Sequence, residues 1–284
     1  MSAPYPPPLH RLLTLGDAWK MQDWPDYVAL GLGPEHIPDL IRLATDPALN
    51  DADSDSPEVW GPGHAWRALA QLHAGEAAAP LTGLFRRIDE DQDDFVGEEL
   101  PVAFGVLGPA AIGPLVAYLA DKANGLWART GAANGLGQIA VHHPDARADC
   151  VAALVNQLGQ FSDQDPVLNG SLVADLVDLK AVEAAPVIEQ AFAADRVDEM
   201  AVGDWEDVQI KFGLKDRREK PRRPPQPGTA AAALQQLADA LKQPKRRPLP
   251  SKSEIEARAE RAVLEQETRE LAGPKRKHHR KPKK

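Results

Sequence analysis

A short pattern recurs along the chain, and it limits the possible folds more than any other feature. Four segments carry it: Leu32-Gly-Pro-Glu-His-Ile-Pro-Asp-Leu-Ile, Leu72-His-Ala-Gly-Glu-Ala-Ala-Ala-Pro-Leu, Leu107-Gly-Pro-Ala-Ala-Ile-Gly-Pro-Leu-Val and Leu179-Lys-Ala-Val-Glu-Ala-Ala-Pro-Val-Ile. A fifth, more diverged copy runs from Ile139 through His142-His143-Pro144 to Cys150-Val151. In each, a turn rich in Gly, Ala and Pro separates two apolar-periodic stretches. The first apolar residues of the second stretches are Leu40, Leu81, Leu115, Val151 and Val187, spaced by 41, 34, 36 and 36 residues. A period in the thirties is the length of a two-helix repeat. One such unit cannot bury its apolar face alone, so repeats of this kind stack.

Both halves of the repeat read as helices. Leu115, Val116 and Leu119 fall on one helical face. Pro80, Pro114 and Pro186 suit the first turn of a helix, where a missing N–H costs nothing. Ala65–Leu72 and Glu99–Leu107 form first helices, and Gly131, Gly135 and Gly137 sit inside a third. Glycine weakens a helix by about 1 kcal/mol relative to Ala, so its presence there predicts close helix packing. Trp60, Phe95, Trp127 and Val167 occupy equivalent places twelve residues before the last apolar position of each first helix. For Trp60 and Trp127 this register favours packing between repeats over exposure. The acidic stretches ahead of them fit inter-repeat loops or helix N-termini.

Charge divides the chain. Residues 1–210 hold 11 Lys+Arg against 33 Asp+Glu, and residues 211–284 hold 22 against 9. The repeats span 8–212; a linker rich in Pro and charge covers 213–229; one or two helices fill 230–272; a polybasic tail occupies 273–284. Ser253 and Glu256 make a capping box for the second of those helices. No apolar run reaches the length of a membrane span, the N-terminus lacks the order of a signal peptide, and the single cysteine, Cys150, excludes an intrachain disulfide and a multi-cysteine zinc site. A reducing cytoplasm is the expected setting.

The stretches Trp66-Arg-Ala-Leu-Ala-Gln-Leu, Gly97-Glu-Glu-Leu-Pro-Val-Ala-Phe-Gly-Val-Leu-Gly-Pro-Ala-Ala-Ile, Asp178-Leu-Lys-Ala-Val-Glu-Ala-Ala-Pro-Val-Ile-Glu-Gln-Ala-Phe and Gly203-Asp-Trp-Glu-Asp-Val resemble bacterial HEAT-like repeats of the type named after phycobilisome lyases. The resemblance covers about residues 10–212. It implies an all-α chain, an α–α superhelix or HEAT-like solenoid of about five helix pairs, and an interaction module as its use. Some proteins of this kind end in a cysteine-rich zinc motif. This chain ends in Lys and Arg instead, so no metal role carries over, and no cofactor is expected.

Several residue groups invite chemistry. Asp89, Asp91 and Asp93 match the first three ligand positions of a calcium loop, but Asp94 stands where its Gly belongs and Leu100 where its bidentate Glu belongs. An acidic inter-repeat loop is the competing account. His142 and His143 are adjacent and diverge on a helix, which suits a polar turn better than a metal site. Cys150, near a helix N-terminus, has the placing of an activated thiol, and equally of a small buried residue. No nucleophile elbow, phosphate loop or dinucleotide fingerprint is present, and an enzyme is not expected. Trp66 and Trp205 are candidate anchors for a partner protein; Trp205 serves equally as a cap on the end of the stack. The tail residues Lys275, Arg276, Lys277, Arg280, Lys281, Lys283 and Lys284 are candidate contacts for RNA or DNA phosphates, for an acidic protein surface, or for solvent alone. Two functions follow: a protein–protein scaffold whose acidic body fits a basic partner, and non-specific nucleic-acid association through the tail.

Overall fold

Every regular element among the described residues is helical. The computed structural model describes residues 5–219, apart from 22 and 54, and residue 221, all within the first of two units into which the chain divides, Met1–Arg222. The sequence-predicted helices at 230–272 and the polybasic tail, with Lys275, Arg276, Lys277, Arg280, Lys281, Lys283 and Lys284, lie outside the described residues.

The helices in chain order are α1 (Ile37–Ala44), α2 (Pro47–Asn50), α3 (Gly61–Gln71), α4 (Ala78–Thr82), α5 (Arg86–Glu90), α6 (Asp94–Leu107), α7 (Ile112–Ala120), α8 (Leu126–His142), α9 (Arg147–Leu158), α10 (Pro166–Asp178), α11 (Ala185–Ala193), α12 (Glu199–Val202) and α13 (Trp205–Lys211). A single turn of 3-10 helix leads into each second helix of a pair: Pro34–His36, Gly75–Ala77, Pro109–Ala111, Pro144–Ala146 and Val182–Ala184. Their shared form explains the recurring Gly, Ala and Pro. At Gly108, φ is +98°, a region that L side chains avoid.

Packing follows chain order. First helices α3, α6, α8 and α10 each lie against the next, and α10 against α12. Second helices α1, α4, α7, α9 and α11 do the same, and α11 packs on α13. The pairs α7–α8, α8–α9 and α9–α10 join the two rows. Buried residues from both rows form one continuous core. Within the second helices, a buried residue recurs at Leu40, Leu81, Leu115, Cys150 and Ile188, spaced by 41, 34, 35 and 38 residues. The last four each follow a buried alanine by four positions: Ala77, Ala111, Ala146 and Ala184. Here the structure refines the register expected from sequence. Val151 is buried beside Cys150, whereas Val187 is half-buried and Ile188 takes the core place.

Glycine marks the tight crossings. A Cβ on Gly131 of α8 would sit 2.9 Å from the Phe85 ring and 3.1 Å from Ile88. One on Gly105 of α6 would sit 2.8 Å from the Cβ of Gln138 on α8. Gly137 has only ordinary contacts, at 3.4 Å from Asp175 and beyond.

Helix α3 is buried on all sides from Gly61 to Ala70, which the first helix of a row achieves only if something covers it. The chain before α1 does so. His64 Nε2 lies 3.0 Å from the Gly16 carbonyl, and its Nδ1 lies 2.7 Å from the Tyr27 hydroxyl. Nε2 therefore donates to the carbonyl, and burial, which lowers the ring's affinity for a proton, favours a neutral ring with Nδ1 accepting from Tyr27. Arg67 pairs with Glu99 and stands over the Trp24 ring. Gln71 Nε2 donates to the Pro25 carbonyl. At the other end, residues 213–219, read from sequence as the start of a linker, are pinned to α13. Arg218 makes a bidentate pair with Asp204 (2.9 and 2.6 Å) and reaches Asp207 at 2.6 Å, while Lys215 meets Glu206 at 2.7 Å. These carboxylates hold the basic segment down, so the boundary lies beyond 212.

Candidate functional site

The exposed face of the second helices is built from small residues. Two positions before and two after each buried core residue, the side chains point outward one above the other, as i and i+4 positions do. On α4 and the turn after it they are Ala79 and Gly83; on α7, Gly113 and Ala117; on α9, Ala148 and Ala152; all six are exposed. Pro80, Val116 and Ala120 extend the face, and Val116 is among the large apolar side chains left in solvent, at 36% exposure. The outer helices flank it with Pro38 and Arg42 on α1 and with Pro186 and Gln190 on α11.

Two glycines in this face border open space. Beyond its own chain neighbours, a Cβ on Gly83 or Gly113 would meet nothing within 4 Å. Neither lies in the left-handed backbone region. Gly113 directly precedes Pro114 in the first turn of α7, where the proline ring crowds a Cβ on a helical backbone, so only Gly83 of the two lacks a local requirement. Gly105 and Gly131, by contrast, are required by their packing neighbours.

The edge of this face, where first helix turns into second, is acidic. The middle residues of the five 3-10 turns are Glu35, Glu76, Ala110, Asp145 and Glu183, all exposed and each five residues before a buried core position. Glu183 pairs with Arg147 at 2.9 Å, and Glu35 lies 3.5 Å from His36. Hydrogen bonds, including one from Arg147, hold the Glu183 carboxyl below its ordinary range. Glu76 and Asp145 have no ion-pair partner among the described residues, nor do Asp149 and Glu189 on the face itself.

The residues singled out by sequence fall elsewhere. Trp66, a candidate anchor, is 1% exposed, stacked on Phe95 with centroids 5.2 Å apart. The N-terminal segment covers its helix, so this ring belongs to the core and is no anchor. Trp205 is half-buried against Phe192, centroids 6.1 Å apart, at the end of the described helices. Trp60 packs edge-on to Phe95, as expected. Trp127 does not follow its register. It is 51% exposed, and no aromatic ring lies against it among the described residues.

The acidic loop is an internal fastening. Asp89 accepts from the N–H groups of Trp127 and Ala128 (3.1 and 2.7 Å) and so caps α8. Asp93 caps α6 through Val96 N–H. Asp91 and Asp93 both face Arg87, at 3.3 and 3.1 Å, together with Asp51 at 2.7 Å. A guanidinium stands where the calcium reading needs a cation. His142 and His143 point apart: His142 Nδ1 lies 2.9 Å from the Gln138 carbonyl, and His143 turns toward Gly108 and the His73 ring. Among the described residues no group of three or more His, Cys, Asp or Glu is placed to hold a metal ion. Cys150 is 0% exposed in a core position, and burial, with Asp149 nearby, pushes its thiol up to about 11. That environment opposes a nucleophilic thiolate. Burial, then the Asp178 charge, lifts the Asp175 carboxyl to about 8; Asn134 on α8, turned to donate, reaches both of its oxygens at 3.1 and 3.2 Å and works the other way.

No family model, curated protein or solved structure matches the chain. Among the described residues, no single helix is long and apolar enough to cross a membrane. The small-residue face was the feature missed from sequence. Its signal was present in the outward positions of the repeat, but it appears only once the buried register is known.

Proposed function

We propose that the chain is a cytoplasmic HEAT-like α–α solenoid that works as a protein-binding scaffold, with the exposed face of α4, α7 and α9 as its working surface. The recurring spacing, the helix-by-helix packing in two rows and the resemblance of its repeats support the solenoid reading. One observation carries the binding reading. In a body where acids outnumber bases 33 to 11, three successive second helices present six small, uncharged, exposed residues, two of them glycines with empty space above. Contiguous exposed apolar surface marks interaction sites, and small residues let a partner backbone come close.

The test is co-purification from native lysate with the full chain, wild type against an A117R/A148R variant, each with and without nuclease. The scaffold reading expects a protein retained by wild type under nuclease and lost by the variant, with both chains melting at similar temperature. Recovery that depends on nucleic acid and ignores the substitutions refutes it, and makes nucleic-acid association through residues 273–284 the working activity.

A further inference from the structure

Among the described residues nothing covers the exposed second-helix face, and its charge is one-sided. We infer that it takes a basic amphipathic helix of another protein, with a small apolar stripe laid on Ala79, Gly83, Gly113, Ala117, Ala148 and Ala152 and with Lys or Arg along the side facing the turns. This rests on the scaffold reading above and names the chemistry of the partner.

Charge complementarity carries the argument. Along the turn edge, four of five equivalent positions are acidic: Glu35, Glu76, Asp145 and Glu183. The cations beside them are Arg147, already engaged by Glu183 and the Leu179 carbonyl (2.9 and 3.0 Å), and the exposed Lys180. Glu76, Asp145, Asp149 and Glu189 keep no counter-ion within the described residues. The arginines that border the face are met on their own helices: Arg42 by Asp39 at 3.0 Å and Arg86 by Glu90 at 3.9 Å. What is left over is negative charge beside an uncharged strip.

The described body of a second copy meets the face poorly, because it brings the same acidic edges against each other and like charges across an interface are unfavourable. An acidic helix fails for the same reason. The basic residues 211–284 of this chain are present in every arm of the test below, so a lysine peptide that binds does so in competition with them. A bare apolar strand leaves the carboxylates without partners. A helix with cations on one flank satisfies both features, and small residues beneath it allow the close interaxial approach that ridge-and-groove packing sets by side-chain size.

The test is fluorescence anisotropy at low salt on the full chain, with two labelled probes: an amphipathic helical peptide of alanine, leucine and lysine, and the same peptide with glutamate for lysine. Two variants accompany wild type: E76K/D145K, which reverses the edge and leaves the face intact, and A117R/A148R, which blocks the face. The inference expects the lysine peptide to bind and the glutamate peptide not to bind. E76K/D145K should weaken the lysine peptide about tenfold, the size expected for two reversed rim charges, and A117R/A148R should abolish binding. Equal binding of both probes overturns the inference, as does failure of the lysine peptide to bind at all. Loss on A117R/A148R with no change on E76K/D145K leaves the face standing and removes the basic partner. No response to either variant removes the face as well.

Discussion

The same substitution, glycine to alanine, is expected to act with opposite sign at two positions. At Gly83, where α4 ends, a Cβ enters open space, nothing lying within 4 Å, and φ is −62°, which alanine adopts freely. The change is intrinsic: alanine restricts the unfolded chain. G83A should therefore stabilise the fold by about 0.4–1 kcal/mol. At Gly131 the same methyl would stand 2.9 Å from the Phe85 ring and 3.1 Å from Ile88. Phe85 cannot step aside, because it is fully buried between the rings of Phe104 and Tyr118, with centroids 5.5 and 5.8 Å away. Overpacking a tight core costs about 1–3 kcal/mol, against a propensity gain of about 1 kcal/mol. G131A should lose up to about 2 kcal/mol net. Urea unfolding followed by circular dichroism measures both, the midpoint moving up for one variant and down for the other. A destabilised G83A would mean that Gly83 serves the fold rather than a partner. A stabilised G131A would mean that α8 does not approach Phe85 closely.

Three further outcomes follow from the same geometry. Cys150, buried with its thiol pushed up to about 11, should resist a thiol reagent at neutral pH until the chain unfolds; fast labelling of native protein contradicts its core placement. His64 is held neutral, its affinity for a proton lowered by burial first and by Arg67. The unfolded ring binds a proton below its ordinary 6.5, so the unfolded state takes up more protons there. The His64 contribution to stability should accordingly be full above about pH 6.5 and fall as the pH drops below it, and it should appear as the difference in slope between wild type and an H64Q variant in urea melts at several pH values. Arg87 bridges Asp51, Asp91 and Asp93 with its side chain 14% exposed. R87A should cost about 1.5–3 kcal/mol, the range for hydrogen bonds to charged groups, whereas calcium added to the wild-type chain should leave the melting temperature unchanged.

Sequence and structure agree where local pattern decides the outcome. Leu40, Leu81 and Leu115 are buried as their periodicity requires, and the prolines of the second helices stand in or near the first turns. Disagreement begins where a distant segment intervenes. Trp66 looked like an anchor because Trp is enriched at binding hot spots; Trp24 and Tyr27, some forty residues earlier, lie against its helix through Arg67 and His64. Trp127 looked internal because bulky apolar residues recur at its place in the register; Phe95 at the equivalent place is indeed enclosed, by Trp19, Trp60 and Trp66. Its own repeat brings no such rings, and the indole is left in solvent. The aspartates of residues 89–94 resembled ligands because sequence does not show Arg87 folding back over them. Alanine and glycine carry little polarity signal, so the second-helix face became visible only after Cys150 and Ile188 fixed the buried register.

The central claim is that a partner protein sits on the second-helix face. Site-specific photo-crosslinking tests it most directly, with a photoreactive residue placed in turn at Ala117 on α7, at Ala148 on α9 and at Val141 on α8, a first-helix position that is 63% exposed. The account predicts one and the same protein crosslinked from Ala117 and Ala148 in native lysate, and none from Val141. Crosslinks to that protein from Val141 alone, or equally from all three positions, would contradict it.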